Sequence, residues 1–259
     1  MKSNAKHEFF NAARLRTGEN ITLDSIAHNF DTFPASTRQK IENFTNWSRH
    51  RDLARFLYRA EIFKSILTIP GCIFECGVLY GAGVSSWLHL SEIFEPVNFS
   101  RRIFGFDTFA GFPGVSKVDR PSHWKNAAYY RKGHFNVSHA KASLFEVMTL
   151  LDKTRKVPQI PRVKLIEGDV AKTVPALLKS DKSILVSLLY LDMDLYAPTK
   201  AVLKACLPRM CKGSVIVFDE LNCDDWPGET QAFVELLPRT SYASIERSPL
   251  VPHMAVVRL

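Results

Sequence analysis

The feature that most constrains this chain is a rhythm. Short apolar runs of strand length, at 72–76, 103–107, 163–166, 184–191 and 214–218, alternate with helix-like segments at 84–94, 140–151, 170–178 and 198–210. Continuous apolar strands separated by helices bury both faces of a sheet, which predicts an α/β fold of the Rossmann-like kind with a mostly parallel sheet. The last helical segment carries Pro198 in its first turn, where a missing N–H costs nothing. After it, 242–246 and 253–258 flank a Ser248-Pro249 break and predict a C-terminal antiparallel hairpin.

The N-terminal part is different. From 51 to 67, Leu53, Phe56, Leu57, Ala60, Phe63, Ile66 and Leu67 recur at three- and four-residue spacing, one face of an amphipathic helix stopped by Pro70-Gly71. The expected organisation is a helical attachment over 1–70 and a Rossmann-like domain over 71–259. No internal repeat is found. The longest apolar run has eight residues and includes Ser187, far short of the roughly 20 a membrane helix needs, so no membrane partner is expected. The first ten residues lack the apolar stretch of a signal peptide, and five cysteines with no paired CxxC spacing read as reduced thiols. Both point to a cytoplasmic protein.

In open α/β sheets, ligands bind at the carboxyl ends of the strands, so the residues there carry the chemistry. After the first strand, Glu75-Cys76-Gly77-Val78-Leu79-Tyr80-Gly81-Ala82-Gly83-Val84-Ser85 places three glycines in a strand-to-helix turn. Such a turn allows close backbone approach to a ligand or is simply tight. The spacing G-x-x-x-G-x-G differs from the dinucleotide fingerprint, and Glu75 would repel a pyrophosphate but welcome a cation. Asp107 ends the second strand, where an acid commonly holds a ribose diol, although a loop acid or helix cap reads the same way. Asp169 follows the third strand and could accept from an adenine amino group or cap the next helix. Asp192 ends the fourth strand and Asp219-Glu220 the fifth. Three carboxylates converging there repel one another unless a cation or proton intervenes, and hard oxygen donors suit Mg²⁺, Ca²⁺ or Mn²⁺. Solvated acids at helix starts are the plainer alternative.

Taken in chain order, several motifs resemble the macrocin O-methyltransferase family. They are Glu75-Cys76-Gly77-Val78 with Gly81, Gly105-Phe106-Asp107-Thr108-Phe109 with Gly111-Phe112-Pro113, and Glu167-Gly168-Asp169. Asp192-Met193-Asp194-Leu195-Tyr196-Ala197-Pro198-Thr199 and Asp219-Glu220 complete the set, over residues 50–237. The resemblance implies a class I methyltransferase that uses S-adenosyl-L-methionine and a divalent metal to methylate sugar hydroxyls. It implies metal ligands at Asp192, Asp219 and Glu220, the last standing where that family has Asp. Glu75, Gly77, Tyr80, Gly81 and Ser85 are then expected beside the methionine part of the cofactor, Asp107 at the ribose, and Asp169 and Val170 at the adenine. A metal-held hydroxyl needs a base. Asp192 is the first choice, with His139 and His134 as competitors.

The net charge of +8 is segregated. Residues 101–164 hold 13 basic and 4 acidic residues, whereas 165–259 hold 10 and 12. The basic, aromatic stretch at 117–156 is expected to form a lid whose cations face an anionic acceptor such as a nucleotide sugar or glycan. A solvated basic loop is the alternative. An RNA methyltransferase and a non-catalytic cofactor-binding protein are the rival functions. Nucleic acid is disfavoured because no RNA-binding module is appended, and a homo-oligomer is compatible with the sequence.

Overall fold

The computed structural model describes residues 18–120, 130–251 and 253–259. The chain parts into two compact units, residues 1–53 and 54–259. In the first, helix α1 (Gly18–Thr32) is followed by α2 (Thr37–Glu42) and a 3₁₀ turn at Phe44–Trp47. Ser36 starts α2 with a capping box, its side chain accepting from the Gln39 N–H while Gln39 reaches back to the Ser36 N–H. Trp47 packs edge-on against Phe30 and Phe33, each at 5.4 Å, and donates its indole N–H to Asn29 Oδ1 at 2.9 Å.

Helix α3 (His50–Ser65) crosses the division, which falls at 53/54 rather than the expected 70/71. The reason is burial: Ala60, Ile62 and Phe63 of α3 belong to the core of the second unit. That unit continues with β1 (Cys72–Cys76), α4 (Ala82–Phe94), β2 (Ile103–Asp107), α5 (Lys141–Lys153), β3 (Val163–Glu167) and α6 (Val170–Ser180). It closes with β4 (Val186–Leu191), α7 (Tyr196–Cys206), β5 (Met210–Phe218), α8 (Pro227–Leu236), β6 (Ser244–Arg247) and β7 (Ala255–Arg258). The strands form one sheet in the order β3-β2-β1-β4-β5-β7-β6. The first five are parallel; β7 runs antiparallel to β5 and to β6. The expected α/β class and C-terminal antiparallel pair are both present.

Alternation along the strands builds two cores. On one face, Phe74, Phe104, Phe106, Leu189, Leu191, Ile216 and Phe218 pack with α6, α7 and α8. On the other, Ile73, Ile103, Leu188, Tyr190, Val215 and Val217 pack with α3, α4 and α5. Helix α8 escaped the sequence reading because its apolar periodicity is short, although Pro227 opens it in the favoured position. Strand β5 starts at Met210, earlier than expected, because a register shift lets Met210 pair with Val186. Among the described residues, no helix is long and apolar enough to cross a membrane.

The same shift explains Ser187, the polar residue in the most apolar strand. Its pairings skip from Val186 to Leu188, and its Oγ accepts from Arg101 Nη1 at 2.6 Å. Arg101, 3% exposed, also pairs with Glu95 at 2.6 Å and donates to the carbonyls of Gly71, Ile66 and Ile69. One guanidinium thus ties the end of α3 to the start of the sheet. Replacing Arg101 with Met should cost about 3–5 kcal/mol because it strands a buried carboxylate. Adding Glu95→Gln should recover part of that loss, read as denaturation midpoints of the single and double variants.

Candidate active site

The carboxyl ends of β1 and β4 lie side by side at the point where the strand order reverses. Here the turn after β1 meets the segment after β4. Gly77 has φ +96°, and a Cβ on it would run into the backbone carbonyl of Asp192. The Asp192 N–H donates to Cys76 O at 2.9 Å, locking the two turns together. Only glycine meets both demands, so the glycine turn and the carboxylate cluster are physically joined.

Helix α4 starts at this turn. Gly81, in the left-handed region at φ +84°, precedes it, and no side chain caps it. Asp107 organises the turn from the neighbouring strand: Oδ2 accepts from the N–H groups of Val78 and Leu79 at 2.7 and 2.8 Å, and Oδ1 from Phe109 at 2.7 Å. Oδ2 is thereby filled, while Oδ1 keeps a lone pair. Tyr80, 43% exposed, turns its hydroxyl to within 3.5 Å of His139 Nε2. Ser85 donates to Ala82 O within its own helix at 3.2 Å. Asp169 takes the capping alternative, accepting from Ala171 N–H at 3.0 Å at the start of α6, and Val170 is buried in the core.

Glu75 is not at the turn's open side. It is 2% exposed beneath α4, where it accepts from the Trp87 indole at 2.6 Å and fills the space that a side chain at Gly83 would need. Burial raises its pKa to about 7, an effect that nearby Arg59 and the Trp87 N–H only partly offset. Arg59 in turn lies over the rings of Tyr190, at 5.3 Å, and Trp87, at 5.9 Å.

Across the sheet edge stand the expected metal residues. Asp219, 4% exposed, accepts from the Tyr190 hydroxyl at 2.6 Å and pairs with Arg55 at 3.3 Å. Burial and the adjacent Asp219 hold the Asp192 carboxyl well above the ordinary range, with Arg55 pulling the other way. Asp194 is raised likewise by burial, Asp192 and Glu220. Glu220 is buried, and its N–H donates to Glu229 Oε2 at 3.2 Å. Glu229, fully buried, also accepts from the N–H groups of Met193 and Asp194, and burial pushes its pKa up to about 8. Asp192, Asp194, Asp219, Glu220 and Glu229 thus lie close enough to feel one another's charge, although among the described residues Asp192, Asp219 and Glu220 do not bring three ligand atoms within 4.8 Å of one another. An all-oxygen set of crowded carboxylates, several pushed toward the neutral form, has the chemistry that a hard divalent cation would satisfy.

Arg55, Arg59, Tyr190 and Glu229 were missed by the sequence reading. The two arginines stand four residues apart on α3 and so share a face, the one signal that could have singled them out. Tyr190 read as one more apolar strand residue. Glu229 stands just behind Pro227-Gly228 at a helix start, where an acid needs no special explanation.

The expected lid at 117–156 divides. Residues 121–129, with His123, Trp124 and Tyr129, lie outside the described residues. The part after 140 is α5, whose Leu144 and Met148 join the core. Between them, Tyr130 packs with Phe112, which precedes the stretch, and with Leu195, Cys223 and Trp226, and its hydroxyl donates to Asp225 O at 2.7 Å. Asp119 accepts from the Tyr196 N–H at 2.6 Å. Both sides of the stretch are therefore anchored to the segments after β4 and β5. His134 sits between Phe112 and Phe135, and burial and Arg131 lower its pKa.

A family model described as macrocin O-methyltransferase matches residues 53–234. Among solved structures, the calicheamicin methyltransferase CalS11 is 33% identical with a TM-score of 0.88, covering 94% of this chain and 93% of that one. The apo structure of CalS11, described as a TDP-rhamnose 3′-O-methyltransferase, is 31% identical with a TM-score of 0.79, covering 94% and 95%. The O-methyltransferase NovP, 19% identical with a TM-score of 0.59 over 79% of each chain, shares the fold. No curated protein matches.

A raised carboxylate pKa in the folded state means that folding favours the protonated form. The stability that Glu75 contributes is therefore present below its ordinary value of 4.5 and is lost as pH rises through about 7. Denaturation midpoints should fall between pH 5 and 8, and Glu75→Gln should flatten that slope. An unchanged slope in the variant would remove Glu75 as the cause.

Proposed function

This chain belongs to the macrocin O-methyltransferase family and is a class I methyltransferase, and on that premise we propose that it methylates a hydroxyl of a sugar carried by a nucleotide, a glycan or a glycosylated natural product. The observation that carries the reading is the contact of Gly77 with the Asp192 carbonyl, which joins a cofactor-type glycine turn to a carboxylate cluster. Donor and acceptor chemistry then share one edge of the sheet.

S-adenosyl-L-methionine supplies the electrophilic methyl group when bound. The uncapped start of α4 and the turn at Gly77, Tyr80 and Gly81 would border its methionine part, with Ser85 beside it. Asp107, with a lone pair remaining on Oδ1, would accept from a ribose hydroxyl. Asp169 and Val170 would border the adenine, with Asp169 also keeping its helix cap. Glu75 acts from beneath, holding α4 through Trp87.

Asp192, Asp219 and Glu220 would hold Mg²⁺ or a similar cation, which supplies the positive charge that lowers the pKa of an acceptor hydroxyl. Tyr190 and Arg55 fix Asp219 in place. Asp192, placed beside the acceptor hydroxyl at the end of β4, would take the hydroxyl proton at its carboxylate. His139, in contact with Tyr80 of the glycine turn, is the alternative acceptor.

Exposed Lys117, Arg120, Arg131 and Lys132 support an anionic acceptor, and the nucleotide sugar in the description of CalS11 supports the same class. Five free cysteines, four of them buried, support a reducing, cytoplasmic setting.

Labelled methyl transfer to nucleotide sugars and glycans, with Mg²⁺ and with a chelator, tests the reading. Transfer to a sugar that falls on chelation is expected; transfer to RNA alone would overturn it. Asp192→Asn should lower the rate by about 10²- to 10⁴-fold while cofactor affinity stays near wild type. A fully active variant would sink the assigned base.

A further inference from the structure

Beside the hard-oxygen cluster lies a group of a different character. Glu220, at the end of β5, Cys223, three residues on, and His253, in the turn before β7, place a carboxylate oxygen, the thiol sulfur and an imidazole nitrogen within 4.8 Å of one another. Among the described residues, this is the group of three such donors that a single ion could bridge, and it differs from the trio Asp192, Asp219 and Glu220. Glu220 and Cys223 are buried, and His253 is half-buried, which leaves an approach from its side.

Two turns converge to make it. The Leu221 N–H donates to His253 O at 2.9 Å, stitching the segment after β5 to the one before β7. Asn222 and His253 both occupy the left-handed region, at φ +56° and +65°, a conformation that non-glycine residues adopt seldom. The donor set is mixed. A thiolate and an imidazole select Zn²⁺ and its neighbours over Mg²⁺ or Ca²⁺, and three protein ligands leave a fourth tetrahedral position for water. Zinc bonds of about 2.0–2.3 Å put tetrahedral donors about 3.3–3.8 Å apart, so the donors would have to close by at most about 1.5 Å.

We propose that Glu220, Cys223 and His253 form a binding site for Zn²⁺ or a similar thiophilic divalent ion, separate from the hard-oxygen site but sharing Glu220 with it. Binding releases the thiol proton to solvent as the sulfur becomes a ligand. Resting on the methyltransferase reading above, the shared residue has a consequence: a zinc ion here withdraws Glu220 from the Mg²⁺ set and inhibits transfer.

The test uses the full chain with Co²⁺ as a spectroscopic probe and Zn²⁺ as competitor. Wild type should bind one Co²⁺ with a thiolate-to-metal charge-transfer band that Zn²⁺ abolishes at equimolar amounts and that Mg²⁺ weakens only in large excess, by competing for Glu220. Cys223→Ser should lose the band. His253→Asn, chosen because Asn tolerates the left-handed region, should weaken Zn²⁺ binding by more than the roughly 10- to 100-fold cost of losing a mere supporting residue. Cofactor affinity of both variants should match wild type, which controls for folding. No band in wild type, or a band that survives Cys223→Ser, overturns the proposal. These readouts need no turnover, so a failure of the zinc site and a failure of the methyltransferase reading are told apart: the first shows in the spectrum, the second in the labelled transfer.

Discussion

Carboxylates crowd the carboxyl edge of the sheet, and the terms of their coexistence govern the rest of this structure. Asp192, Asp194, Asp219, Glu220 and Glu229 converge there, and Glu75 lies buried one strand away. Unrelieved, such a cluster opposes folding. The molecule answers in three ways. Burial pushes the most enclosed members, Glu75 and Glu229, toward the protonated form. Backbone N–H groups of Met193, Asp194 and Glu220 turn toward Glu229. Arg55 brings a guanidinium to Asp219. The protein thus neutralises the cluster only in part.

The relief is organised along a line through the sheet. Trp87 of α4 donates to Glu75; Arg59 lies over both Trp87 and Tyr190; Tyr190 donates to Asp219, which meets Arg55. Beginning under the glycine turn and ending at the acidic edge, this line touches both halves of the site through buried groups. Helix α3 supplies both arginines, so the helix matters to the chemistry as well as to the core.

Much of this was legible in the residues. The alternation of apolar runs and helices predicted the parallel sheet, and the acids expected at the strand ends lie along its carboxyl edge, where an α/β fold offers room for ligands. Individual roles were harder to read. Glu75, expected at the strand end beside a cationic ligand, is buried beneath α4, since sequence cannot say which face of a strand end an acid takes. Asp107 and Asp169 proved to serve the backbone first, as loop organiser and helix cap. His253 and Cys223 could not be linked in advance: thirty residues separate them, and only the insertion of β7 beside β5 brings their turns together. Long-range pairings of that kind leave no local periodicity to detect.

The contact between Gly77 and the carbonyl of Asp192 has a consequence for anyone wishing to rebuild this protein. The glycine turn is not a module that can be exchanged for the phosphate-binding turn of another Rossmann-like protein. Its first glycine stands where it does because a particular stretch of β4 backbone lies against it, and that same stretch carries Asp192. A transplanted turn with its glycines one position out would push on Asp192 before it ever met a ligand. Position 77 is therefore bound to stay glycine whatever side chain stands at 192, because what it meets is the backbone there, and any redesign of the turn has to keep to the path of the chain after β4.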